Sequence, residues 1–182
     1  MDIRFTIPAF PTVLILLAVW LFIWIPFTPA ARRRLSPQQL FWRAVLSVYL
    51  SGICYFVFLP IDVNIGMYAS HNSWYSSIQW LPLLTADLHS FALNIVLTIP
   101  FGFLWPLAVN REFSLKQAAI HAFWLSLAIE AIQLLITLTL GSSRSTDIND
   151  LIANTAGGVV GARVLKEICK QRIGRKWLRA SP

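Results

Sequence analysis

Glu130 is an acid placed where a membrane-length helix has its middle. Thirteen uncharged residues precede it and thirteen follow it, with His121 counted as neutral. An acid at that depth costs about 2.5–3.5 kcal/mol on insertion scales, so its presence points to a functional site. Ser126, Gln133 and Thr137 share its helical face, which is polar from end to end. A charged turn follows, Gly141-Ser-Ser-Arg144-Ser-Thr-Asp147-Ile-Asn149-Asp150. The next apolar segment begins at Asp150 and puts Asn154 one turn deeper. Asp147, Asp150 and Asn154 are spaced i, i+3, i+7 and share a face, from which Asn149 points away. Asn94 belongs to an earlier stripe, Ser90, Asn94, Thr98 and Gly102.

These residue types support two kinds of chemistry. In a binding site, Asn94, Glu130, Gln133, Arg144, Asp147, Asp150 and Asn154 hold a ligand. Glu130 is then the floor of a polar pocket, paired with Arg144 or bonded in protonated form to Asn94 or Asn154. Arg144, Asp147 and Asp150 are its rim. In an enzyme, Glu130 is the general base, Asp147 and Asp150 are acids or ion ligands, and Arg144 grips a phosphate. A third reading makes the stripes the pathway of a small transporter, although no internal repeat supports it. In a fourth, the polar groups only hold helices together. Metal spacing is absent: His71, Asp87 and His89 form no ligand pattern, and no cofactor is implied. Cys54 and Cys169 form no disulfide framework.

The elements that must position these groups are membrane spans. The chain has 182 residues, 57% hydrophobic and 13% charged, with mean hydropathy +0.63. That composition predicts an all-α membrane protein, about five transmembrane helices in one domain over residues 1–182. The expected spans are Pro8–Phe27, Leu40–Pro60, a third between Asp87 and Arg111, Gln117–Leu140 and Leu151–Ile168. Trp20 and Trp24 fall where an aromatic belt is expected, and Pro26 and Pro29 end the first span. Arg43 is expected to snorkel to the headgroups. Ser47, Ser51 and Cys54 form a packing face. Residues 62–87 read as a loop lying in the interface, with a short amphipathic helix before Pro82. Pro100 removes a backbone donor inside the third span, leaving the carbonyl near residue 96 to a neighbour and opening the wall of a polar site at Asn94. Ala153, Gly157 and Gly161 recur every four residues, with Gly158 and Ala162 beside them, so the fifth helix is expected deep in the bundle.

Net charge is +7. In a soluble chain that balance raises nucleic acid as a partner; here the positive-inside rule accounts for it, and no nucleic acid is expected. With Arg32–Arg34, the 110–116 loop and the basic tail of residues 163–182 in the cytoplasm, 13 basic residues lie inside and two, Arg4 and Arg144, outside. The N-terminus, the 62–87 loop and the 141–150 turn then face outward. The expected partners are membrane lipids and a lipid-linked or amphiphilic ligand, and the sequence is compatible with an oligomer.

Three pieces together resemble the VanZ-like family, small membrane proteins named for a teicoplanin-resistance accessory protein. They are Asn94-Ile-Val-Leu-Thr-Ile-Pro100-Phe-Gly102-Phe-Leu, Ser126-Leu-Ala-Ile-Glu130-Ala-Ile-Gln133, and Arg144-Ser-Thr-Asp147-Ile-Asn149-Asp150-Leu-Ile-Ala-Asn154-Thr-Ala-Gly157. The resemblance covers residues 78–162. Asn149 departs from it, standing where the family often has another Asp. The resemblance implies a multi-pass protein of the bacterial cytoplasmic membrane with an envelope-associated role, sometimes lowering susceptibility to glycopeptide antibiotics. It implies no known reaction.

Overall fold

The structure is a computed structural model. It describes residues 2–24, 36–68, 78–79, 81, 87–109, 113–142 and 145–170, without the side chains of residues 23 and 24. Arg32–Arg34, most of the 110–116 loop's charges, His71, Pro82, Arg144 and the tail beyond Lys170, all invoked above, lie outside the described residues.

Among the described residues five helices carry the fold: α1 (Ala9–Trp24), α2 (Pro37–Phe58), α3 (Leu88–Val109), α4 (Leu115–Leu140) and α5 (Ile148–Lys170). Helices α2, α3 and α4 are long and apolar enough to cross a membrane. Helix α1 contributes a shorter apolar stretch, Ala9–Phe22. Helix α5 is long but less apolar, because small and polar residues line the face it buries.

Local chemistry sets the boundaries. Ser36 and Gln39 form a capping box at the start of α2, and Ser114 and Gln117 form another at the start of α4. Gly141 ends α4 in the left-handed conformation, φ 63°, with its N–H on the Thr137 carbonyl. Helix α3 runs unbroken through Pro100 and Pro106. The Tyr49 hydroxyl donates to the Leu97 carbonyl at 2.6 Å, one residue from the carbonyl that Pro100 deprives of its donor.

Leu46, Leu50 and Ile53 of α2 pack against Phe101, Leu104 and Ala108 of α3, and α1 lies on the far side of α2. Ser47 and Ser51 are buried as their stripe predicts, each hydroxyl donating to the carbonyl four residues back. Arg43 does not snorkel. It is only 3% exposed, and its Nε donates to the Ala108 carbonyl at 3.1 Å. The unpaired carbonyls and dipole at the C-terminal end of α3 offer the cation a protein partner, so it caps that helix.

Helix α5 is gripped between α3 and α4. A Cβ on Gly157 would strike the Ile95 carbonyl and Thr98; one on Gly161 would strike the Ile99 carbonyl; one on Gly102 would strike the Gly158 carbonyl. A Cβ on Gly158 would strike Ala122 of α4. The backbones of α3 and α5 therefore touch, as small residues every fourth position allow. The opposite side of α5 stays open at Ile152, Val160 and Val164.

The connection after α2 holds more order than a loop. It carries β2 (Ile61–Ile65), a 3-10 turn at Gly66–Tyr68 and β3 (Ile78–Gln79). Strand β2 pairs antiparallel with β1 (Ile3–Ile7) at the N-terminus, in the register Phe5 opposite Val63. Strand β3 pairs parallel with β4 (Thr146–Asp147), just before α5. These strands collect at the end of the bundle where α3 and α5 begin and α4 ends.

Candidate functional site

At that end lies a cleft of about 170 Å³, lined by Gln79, Asp87, Ser90, Phe91, Ser145, Asp147, Asn149 and Asp150. Three elements build it. Strand β3 supplies Gln79, the start of α3 supplies Asp87, Ser90 and Phe91, and the start of α5 supplies the rest. Its described lining holds three carboxylates and no lysine or arginine.

Two of those acids are committed to helix starts. Asp87 accepts from the N–H groups of His89 (3.3 Å) and Ser90 (3.1 Å) at the beginning of α3. Asp147 Oδ1 accepts from the N–H of Asn149 at 2.8 Å and from its side-chain Nδ2 at 2.9 Å, at the beginning of α5. Each side chain satisfies donors that a helix start leaves over, and each negative charge faces a positive helix end. Asp150 sits in the first turn of α5, beside the Asn94 side chain. Among the described residues it is the acid of the three that accepts from no backbone N–H.

Glu130 lies behind the cleft and does not line it. It is 5% exposed, and its Oε2 accepts from the Asp147 N–H at 3.1 Å. The Thr146 hydroxyl donates to the Glu130 carbonyl at 3.4 Å. Asp147 and Asp150 are both near enough to repel its charge. Glu130 thus pins the entry of α5 to the middle of α4, with three acids around one helix start.

Asn154 is 2% exposed and donates from Nδ2 to Ser126 Oγ at 3.0 Å. The stripes of α4 and α5 do face each other, as two polar stripes in lipid should. The expected partners change, however. Glu130 meets the Asp147 backbone, Asn94 meets Asp150, and Asn154 meets Ser126. Gln133 leaves the group: its Nε2 reaches the Val57 carbonyl at 3.4 Å, at the end of α2. Its helical position puts it on the edge of the stripe, nearer α2 than α5.

Asn149 corrects the reading of the turn. Helix α5 begins at Ile148, two residues earlier than expected, so positions 147–150 follow a capped helix start. Asn149 is only 2% exposed and lines the cleft with Asp147 and Asp150. The sequence signal was Asp147 two residues before Asn149, the spacing of a side chain that caps its own helix. Gln79, Asp87, Ser90 and Ser145 also line the cleft without having been singled out as site residues; only Asp87 offered a cue, as a helix-capping acid. Among the described residues no group of three His, Cys, Asp or Glu side chains could hold a metal ion.

The family model described as VanZ/LLP1 matches residues 12–170. A curated protein named Protein VanZ, from Enterococcus faecium, is 30% identical over 124 residues, 67% of this chain and 71% of that protein. No solved structure matches.

Proposed function

The chain belongs to the VanZ/LLP1 family, and on that premise we propose that it is a multi-pass protein of the bacterial cell envelope that binds a lipid-linked or amphiphilic ligand. The ligand's polar part enters the cleft between the starts of α3 and α5, and its apolar part lies along the exposed side of α3. The cleft is the observation that carries this reading. It sets polar lining residues such as Ser90, Asp147 and Asp150 beside α3, which carries the exposed Leu88 and Leu93. Asp150 lines it from the first turn of α5.

In this reading α1 and α5 complete five spans and the cleft faces outward, with the basic tail in the cytoplasm, as the 13-to-2 distribution of basic residues favours. Binding suits the geometry better than acid–base chemistry, because Glu130 and Asp147 already hold the entry of α5. The cellular consequence is reduced susceptibility to a glycopeptide antibiotic such as teicoplanin.

The experiment has two readouts. Protein purified in mild detergent is analysed for retained lipids by mass spectrometry, and cells expressing it are tested for teicoplanin susceptibility. The wild type is expected to retain a lipid species that Asp150→Asn loses at equal expression, and susceptibility is expected to change with it. Identical lipid profiles and identical susceptibility for the two proteins would remove the binding assignment.

A further inference from the structure

We propose that the cleft continues inward, beneath Asp150, as a hydrated pocket in which a water molecule is bound by the Asn154 amide. The proposal rests on the reading of the cleft as an open site and extends that site by one helical turn.

Asn154 carries the argument. It is 2% exposed, and its Oδ1 has no hydrogen-bond partner among the described residues. Its Nδ2 donates to Ser126 Oγ, and the Ser126 hydroxyl is itself directed at the Asp150 carbonyl, 3.5 Å away. As placed, the amide spends a donor on Ser126, and its one acceptor, Oδ1, is left over. Buried amide groups are almost always hydrogen-bonded, and internal water is what serves those the protein leaves unmet. Water donates, so it suits that acceptor.

The surroundings give the direction of entry. Below Asn154 the way is closed, because Gly157 lies against Ile95 and Thr98 and Gly158 lies against Ala122. Above it, one turn earlier on the same face of α5, stands Asp150, which lines the cleft. A pocket closed below and polar above fills from the cleft.

The test uses Ag⁺, a thiol-reactive ion of about the size of water that does not cross lipid. The full chain, with Cys54→Ala and Cys169→Ser, receives one cysteine at a time: Asp150→Cys, Asn154→Cys, Ser126→Cys or Ala153→Cys. Each protein, reconstituted in lipid nanodiscs and required to elute as one species, is exposed to Ag⁺. It is then denatured and its remaining thiol is counted with a maleimide. Ser126→Cys is a second probe of the same pocket from α4, and decides the matter if Asn154→Cys does not fold. Ala153, fully buried beside Asn154, is the dry control. Asp150→Cys, Asn154→Cys and Ser126→Cys are expected to be silenced at least an order of magnitude faster than Ala153→Cys. If Asp150→Cys reacts while both deeper cysteines match Ala153→Cys, the cleft ends at Asp150: the pocket is overturned and the binding site stands. If Asp150→Cys is also silent, the cleft itself is not open and both readings fall.

Discussion

Helix α5 meets its two neighbours by different physics. Against α3 the glycines bring backbone onto backbone: Gly157 and Gly161 rest on the Ile95 and Ile99 carbonyls, and Gly102 rests on Gly158. Against α4 the half nearer the cleft is joined by hydrogen bonds to side chains, the Asp147 N–H donating to Glu130 and Asn154 donating to Ser126. Lipid offers little hydrophobic force between helices, so contact must come from close packing or from polar bonds. The steric seam admits no added atom. The polar seam admits exchanges between hydrogen-bonding groups and resists only their loss. That latitude lets one end of α5 vary its chemistry while the rest fixes its place.

The sharpest break in the comparison is Gly157→Leu. The new side chain meets backbone, which cannot swing aside, so the expected cost exceeds about 4 kcal/mol, the range reserved for gross overpacking or cavity formation. No folded species is expected on gel filtration. Val160→Leu, on the exposed side of the same helix (44% exposed), is expected to stay within about 0.5 kcal/mol of the wild type. A Gly157→Leu protein with an unchanged melting temperature would show that the two backbones do not touch.

The steric seam was readable from sequence because its cause is local: small residues every fourth position permit only one kind of contact. The polar stripes were readable as stripes for the same reason. Their pairing was not. Depth alone matches Glu130 to Arg144, which lies outside the described residues, or to Asn94 or Asn154; among the described residues its carboxylate accepts from the main-chain N–H of Asp147, and a backbone donor carries no sequence label. Arg43 reads as a snorkelling cation because its partner, the end of α3, is 65 residues away. The strands failed to show for a similar reason. Ile61–Ile65 looks like loop until Ile3–Ile7 is laid beside it, and two-residue β3 becomes a strand only through β4. Asn149 was misplaced by a two-residue error in the start of α5.

The polar seam is tested next, by two changes at one position. Glu130→Leu leaves the Asp147 N–H buried without an acceptor, at a cost of about 1–3 kcal/mol. Glu130→Gln keeps a carbonyl oxygen in place and is expected to cost less than about 1 kcal/mol. Thermal unfolding in detergent should therefore rank wild type and Gln together, with Leu well below. If Leu and Gln unfold alike, Glu130 does not pin α5.

Asp150→Asn separates site from scaffold more finely. The new side chain keeps an oxygen beside the Asn94 amide, so stability should change by less than about 1 kcal/mol. Lipid retention should fall nonetheless. A large drop in melting temperature would move Asp150 from the cleft's chemistry into its architecture.

The smallest expected effect lies outside α5, at the tie between α2 and α3. Tyr49 donates to the Leu97 carbonyl at 2.6 Å, beside the carbonyl that Pro100 leaves without its helical donor. Tyr49→Phe keeps the ring and removes the bond, so a loss of about 1 kcal/mol is expected. The informative measurement is the cost in two backgrounds. Pro100→Ala restores an N–H to this stretch of α3, and the weakened turn should then hold itself. If the bond compensates for the proline, Tyr49→Phe costs less in the Pro100→Ala protein than in the wild type, and the double-mutant cycle gives a coupling of about 0.5 kcal/mol or more. Equal costs in both backgrounds make the tie an ordinary contact between α2 and α3. A positive coupling makes it a third kind of joint: one side-chain donor replacing the hydrogen bonding that a proline takes from the backbone, level with the glycine contacts and below the cleft.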